Sequence, residues 1–278
     1  MEEQISRLTE WFNHLFGPLA LYILHVLHVR PSDARLPVTE YVVMSLVVLV
    51  LGTVLALLLR RRLSVERPGG FQQVAEMLLT NPLGFGIKDL LEENVGHGGN
   101  KFIAFTGSIS IFILLANLLG VIPAFSSPTG GSLPVVPLAC ALLTFLYFNG
   151  QGIKHHGAGR YLLTFAGSPK KIADWLLAVL LFPVELLSTS ARLLSLTVRL
   201  WANIFASDLL YAIFLSLLVK LTIFGWETFP PLGIALGIMP LVIPLAFIGL
   251  HIFVSVIQAY VFTVLPAIYL GMATADEH

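Results

Sequence analysis

Between Tyr41 and Leu59 the chain runs for nineteen residues without a charge, and four more predominantly apolar stretches follow, at 102–125, 134–149, about 172–224 and 232–272. About twenty apolar residues are enough to cross the ~30 Å hydrocarbon core of a bilayer. Inside lipid no water is available to satisfy backbone N–H and C=O groups, so each spanning run must pair them within itself, as a helix. The expectation is an all-α, polytopic membrane protein with about five membrane helices, joined by amphipathic helices on the membrane surface. Composition agrees: 56% of the 278 residues are hydrophobic and 12% are charged, against about a quarter charged in soluble domains. Mean hydropathy is +0.87. Sixteen acids balance sixteen Lys and Arg, so charge offers nothing to a nucleic acid or to an acidic partner. The single cysteine, Cys140, excludes an internal disulfide. The start "MEEQISRLTEWF" is acidic and lacks the basic n-region of a cleaved signal peptide.

The chain reads as one membrane domain, 1–278, in six segments. Ile5, Leu8, Trp11, Phe12, Leu15, Phe16 and Leu19 recur at helical steps, giving an interfacial amphipathic segment (1–37) interrupted at Gly17-Pro18 and again at "RPSDARLP". The first span (38–62) stops at Arg60-Arg61-Arg62. Segment 63–101 holds short amphipathic pieces with a turn at Asn81-Pro82, and is placed on the cytoplasmic surface. A helical hairpin (102–149) follows, closed by "SSPTGGSL", then a polar cytoplasmic loop (150–171) and two long apolar helices (172–272). Arg60, Arg61, Arg62, Arg67, Lys88 and Lys101 fall in one loop region, and Lys154, Arg160, Lys170 and Lys171 in another; 126–133 and 225–233 carry no Lys or Arg. The positive-inside rule puts the basic loops in the cytoplasm, and counting five crossings puts the N-terminus outside and the C-terminus inside. A helix from 175 to 219 is roughly 68 Å long at 1.5 Å per residue. Such a stretch either folds back as a helical hairpin, which would move the C-terminus to the other side, or lies strongly tilted; no tight turn is encoded within it, which favours single, long, tilted helices for both terminal stretches.

The first of these carries charges that lipid disfavours. With Arg199 set at zero on a helical wheel, Asn203 falls at about +40°, Ser195 at about −40°, Arg192 at about +20°, Ser188 at about −20° and Glu185 at about +40°. These six polar residues make one stripe, while Asp208 falls at about 180°, on the opposite face. Snorkelling or pairing with Glu185 accounts for Arg192 as readily as a functional role does. Arg199 is harder to explain that way: a guanidinium at the centre of a membrane helix costs about 2.5–3.5 kcal/mol and cannot deprotonate to escape. On the last helix His251, Ser255 and Gln258 share a face. An Asp208–His251 pair across two helices, with Gln258 near Arg199, would make a polar path of the kind that serves as a proton relay.

The segment "ELLSTSARLLSLTVRLWANIFASDLL" resembles the signature of the subunit a family of F-type ATP synthases, roughly S-L-x-x-R-L-x-x-N-x-x-A-G-E. This chain supplies Ser195, Leu196, Arg199, Leu200, Asn203, Ala206 and Asp208. "FILLANLLGVIP" resembles the family's second span, "ENVG" its cytoplasmic approach, "IQAYVFTVLPAIYLGMA" its C-terminal helix, and "FNHLFGPL" an N-terminal segment of some bacterial members. The resemblance implies a stator subunit of the bacterial inner membrane, lying against a ring of c subunits and beside the b subunits of the peripheral stalk within the F1F0 complex, coupling proton flow to rotation and ATP synthesis. It implies that Arg199 faces the ring carboxylate and keeps it ionised, that Asp208 and His251 line an outer half-channel, and that Glu185 lines a cytoplasmic one. Ser188 and Ser195 become water-binding neighbours, Asn203 and Gln258 join the path, and Arg192 and Asn117 are further candidates. Two departures stand out. Ser207-Asp208 replaces the usual Gly-Glu, and the loop "SPTGGSLPVVP" lacks the Asp and Asn often found after its Pro-Thr.

A secondary transporter or channel using an intramembrane Arg/Asp site is the alternative, but such folds show internal repeats that this chain lacks. A hydrolase is disfavoured by the absence of H-E-x-x-H, and His25 and His28 lack a third ligand for a metal. Gly107-Ser108 within a span fits helix packing. Without a G-x-x-x-x-G-K-[ST] loop, nucleotide binding belongs to partners, and no cofactor is expected.

Overall fold

The computed structural model describes residues 6–26, 28, 36–81, 84–122, 125–167, 172–229, 231, 233 and 237–275. Ile5, residues 30–35, Pro82, Lys170 and Lys171, which entered the sequence reading, lie outside them. In chain order the helices are α1 (Arg7–Val26), α2 (Glu40–Arg61), α3 (Gly70–Leu79), α4 (Ile87–Val95), a 3-10 segment (Gly96–Phe102), α5 (Ile103–Leu119), α6 (Val135–His156), α7 (Ala158–Phe165), α8 (Ile172–Thr228) and α9 (Met239–Thr274). Among the described residues, five helices are long and apolar enough to cross a membrane: Glu40–Arg61, Gly98–Leu119, Val135–His156, Leu177–Thr228 and Val242–Thr274. The chain is a multi-pass, all-helical membrane protein. α8 is one continuous helix of 57 residues, roughly 85 Å long at 1.5 Å per residue.

Three boundaries differ from the sequence reading, the simplest being α5, which ends at Leu119 rather than near 125. α1 continues through Gly17 and Pro18 to Val26. Proline there withdraws one N–H from the ladder and crowds the residue before it; Gly17 has no Cβ to be crowded, and its packing against the Pro37 ring would leave an added Cβ 3.6 Å from Pro37 Cγ. α6 does not end near Asn149 but runs through Gly150 and Gly152 to His156, and α7 (Ala158–Phe165) follows, so most of the expected 150–171 loop is helical. The ring of Tyr161 on α7 lies where a Cβ on Gly152 would sit. Gly152, which reads as part of a loop, is there for close packing, whereas nothing lies within 4 Å of an added Cβ at Gly150.

The contacts divide the chain into two compact units. One comprises Met1–Thr53, Phe112–Val136 and Trp201–Ile257; the other comprises Val54–Ile111, Pro137–Leu200 and Gln258–His278. In the first, Ser6 caps α1, its Oγ accepting the Thr9 N–H at 3.2 Å. Asn13 ties α1 to the chain entering α2: its side chain donates to the Val38 carbonyl and accepts the Val38 N–H, both at 2.9 Å. Met44, Val48, Ala116 and Leu119 form the core here, with Phe112, Leu115 and Phe125 against them.

In the second unit, α3 is anchored by Gln72, which accepts the Ser64 N–H at 2.9 Å and donates to the Ser64 carbonyl at 3.0 Å. Ile87, Leu91, Phe102, Phe148, Tyr161, Ala267 and Leu270 form its core. Ser110 on α5 donates to the Ala259 carbonyl at 3.0 Å and shares a 2.7 Å hydrogen bond with Thr263. Cys140 is buried on α6, 5% exposed. Several other hydroxyls of the membrane helices are satisfied locally. Ser108, Thr144, Ser190 and Thr197 each donate to the carbonyl four residues back, at 2.6–2.9 Å. A hydroxyl that reaches to a different element therefore stands out.

Candidate functional site

Arg199 lies at the middle of α8, 27 residues from Ile172 and 29 from Thr228. Its side chain is exposed, as are Ser195 and Asn203 one turn to either side. Among the described residues no carboxylate lies within ion-pair distance of it. Three adjacent positions of the polar stripe thus form an open polar patch carrying a permanent cation.

The other end of the stripe is built differently. Arg192 reaches two turns back to Glu185, with Nη2 3.5 Å from Oε1, and its guanidinium lies 5.3 Å from the centroid of the Tyr269 ring on α9. Together with Tyr161, Thr189 and Phe148 these residues line a cavity of about 150 Å³. Tyr161 donates to Asn149 Oδ1 at 3.0 Å. Burial pushes its phenol above the ordinary value and the nearby Arg192 pulls it back. Ser188 is half-buried beside this group. The carboxylate of Glu185 keeps an open side, 41% exposed, while Arg192 is 22% exposed, so the acid is held by its partner yet reachable by water.

Asp208 and His251 meet: Nδ1 of His251 lies 3.4 Å from Asp208 Oδ1. The imidazole is 7% exposed and bonded on both sides, with Ser207 Oγ 3.2 Å from Nδ1 and the Asn117 carbonyl 3.1 Å from Nε2. Asn117 is fully buried. Its side-chain oxygen accepts the Thr129 hydroxyl at 2.5 Å, and Thr129 in turn shares a 2.8 Å hydrogen bond with Ser127. The 127–131 loop is pinned over α8, with Trp201 Nε1 donating to the Gly131 carbonyl at 2.8 Å. Gly130 presses so close that a Cβ there would lie 2.7 Å from Asp208 Oδ2 and 2.7 Å from Ile204 Cγ2. The loop therefore lies over the Asp208 carboxylate by way of Gly130, while the Ser127 and Thr129 hydroxyls turn to Ala116 and Asn117 on α5.

The remaining residues on the last helix are more reserved. Ser255 shares the His251 face, but its hydroxyl is used up by the His251 carbonyl at 2.8 Å. Gln258 is 2% exposed and, among the described residues, makes no hydrogen bond to Arg199 and leaves its buried Oε1 without a partner. Asn117 Nδ2 is likewise unpaired. Ser127, Thr129, Gly130, Ser207 and Trp201 escaped sequence reasoning. The one signal pointing to them was position: a departure from the family pattern beside Asp208, and another in the hairpin loop.

Residues 41–271 match the family model for the ATP synthase A chain. The chain is 42% identical to "ATP synthase subunit a" of Solibacter usitatus (strain Ellin6076) over 246 residues, 88% of this chain and 91% of that one. It is 36% identical to "ATP synthase subunit a" of Koribacter versatilis (strain Ellin345) over 273 residues, 96% of this chain and 98% of the other. To the protein of that name from Trichlorobacter lovleyi it is 32% identical over 260 residues, covering 94% and 96%.

Proposed function

The chain belongs to the ATP synthase subunit a family, of the membrane-embedded F0 sector, and from that premise we propose that it forms the ion path of a rotary ATP synthase. It is non-catalytic by itself, and it lies against a ring of c subunits, with b subunits of the peripheral stalk beside it. The N-terminus is outside and the C-terminus cytoplasmic.

The observation that carries the reading is the exposed guanidinium of Arg199 at the middle of a membrane helix, with no carboxylate within ion-pair distance among the described residues. A fixed cation there is costly unless something supplies an anion. A ring carboxylate passing that point supplies it: the cation favours the ionised form, so the arriving group gives up its proton. The same charge bars protons from leaking straight between the two aqueous routes.

Asp208 and His251 belong to the outer half-channel, where a carboxylate and an imidazole 3.4 Å apart exchange protons. Glu185, held by Arg192 over a cavity that water can enter, belongs to the cytoplasmic one. Ser195, Ser188 and Asn203 hold water along the stripe, and Gln258 and Asn117 supply polar lining on the other elements.

The test is ATP-driven acidification of inverted vesicles whose complexes are assembled to equal extent. Arg199→Ala abolishes acidification, whereas Arg192→Ala leaves a reduced but clear signal. Normal pumping by Arg199→Ala would return the stripe to a structural role.

A further inference from the structure

The hydrogen bonds around His251 restrict what it can do with a proton. Nε2 faces the main-chain carbonyl of Asn117 at 3.1 Å. A carbonyl oxygen only accepts, so Nε2 carries its hydrogen in the neutral and in the charged imidazole alike. All exchange is left to Nδ1. That nitrogen has two neighbours, Ser207 Oγ at 3.2 Å and Asp208 Oδ1 at 3.4 Å, and one position with which to serve them.

We propose that His251 is a one-sided proton store for Asp208 rather than a link that protons pass through, and that Ser207 is the positioning residue that sets its empty state. The proposal rests on the outer half-channel assignment above. When the store is empty, the Nδ1 lone pair accepts the Ser207 hydroxyl. When Asp208 hands over its proton, the Oδ1–H bond breaks, an Nδ1–H bond forms, and the Ser207 hydroxyl turns away. The result is an imidazolium beside a carboxylate. The return step reverses each change, and the proton leaves by the atom through which it came. A wire would need entry at one ring nitrogen and exit at the other, and the Asn117 carbonyl closes the second route.

Ser207 is singled out by how its neighbours behave. On α8, Ser190, Thr197, Thr222 and Thr228 all donate to the carbonyl four residues back, whereas Ser207 reaches across to α9. Once Asp208 has passed the returned proton on, a neutral Nδ1 lone pair without that hydroxyl faces an ionised carboxylate with no donor between them. That empty state becomes less favourable and the store releases its proton more slowly.

The experiment uses the complete ATP synthase complex in liposomes, with passive proton conduction and ATP-driven acidification measured at equal assembly. The set is wild type, Ser207→Ala, Ser207→Gly, Ser207→Thr and, as a separate arm, Asp208→Asn. Losing one hydrogen bond is expected to slow conduction roughly 2- to 10-fold in Ser207→Ala and in Ser207→Gly. Ser207→Thr, which keeps the hydroxyl, restores it to within about twofold of wild type, a rescue that a packing role would not give. Wild-type conduction in Ser207→Ala and Ser207→Gly overturns the proposal, and so does a Ser207→Thr variant as slow as Ser207→Ala. If Asp208→Asn conducts normally, the half-channel assignment itself falls. If it is inactive while the Ser207 variants are normal, only the store is lost.

Discussion

A single methyl group at Gly130 tests how firmly the hairpin loop is seated on the Asp208 carboxylate. In Gly130→Ala the new Cβ meets Asp208 Oδ2 at 2.7 Å and Ile204 Cγ2 at 2.7 Å, each roughly 1 Å inside comfortable contact. The two obstacles yield differently. Asp208 can swing, but only by leaving the imidazole that now lies 3.4 Å away. Ile204 is fully buried and has nowhere to go. The loop cannot lift without breaking the Trp201–Gly131 bond at 2.8 Å or the Thr129–Asn117 bond at 2.5 Å. Overpacking a well-seated site costs about 1–3 kcal/mol. Gly131→Ala is the matched control, because nothing lies within 4 Å of its added Cβ, and a substitution in open space stays within about 0.5 kcal/mol. The assay is the thermal inactivation midpoint of the assembled complex in lipid, together with the rate of ATP-driven acidification. Gly130→Ala lowers the midpoint and slows acidification; Gly131→Ala changes neither. Equal behaviour of the two variants would refute the argument that this loop is seated on the carboxylate.

Other positions give sharper or milder outcomes. Gly271 packs against the Asn94 carbonyl, where an added Cβ meets main chain rather than a movable side chain, so Gly271→Ala reduces the yield of assembled complex on a native gel. Gln72→Ala frees both backbone groups of Ser64 and costs about 1–3 kcal/mol, seen as faster protease cleavage near Ser64. Ser110→Ala removes one hydroxyl but leaves Thr263 bonded to the Ala259 carbonyl at 3.0 Å. No orphan is created, and the loss of stability stays at about 1 kcal/mol in thermal inactivation.

The spans were legible because length and absence of charge suffice to define them, and α8 was legible as one helix because only Pro183 interrupts its interior. The end of α6 was not, because Gly150, Gly152 and Lys154 look like a loop until the Tyr161 ring is seen lying on Gly152. At the site, Arg199, Asp208 and His251 announced themselves by cost: a charge or an imidazole in an apolar run needs a reason. Ser127, Thr129 and Ser207 had no such signal. A hydroxyl in a membrane helix is cheaply silenced by its own backbone, as at Ser45 and Thr53, and only the fold reveals which ones reach elsewhere. Gly130 was silent for a related reason, since a glycine's meaning lies in what crowds it.

Cys140 is the only thiol in the chain, and its burial at 5% exposure leaves it out of reach of water-soluble alkylating reagents. The native protein is therefore close to a blank background for reporter chemistry. A cysteine placed at Ser195, Asn203 or along 127–131 would be labelled without first stripping the chain of its own thiol. The rate of that labelling from either side of the membrane would map where water reaches, residue by residue, in an otherwise unaltered subunit.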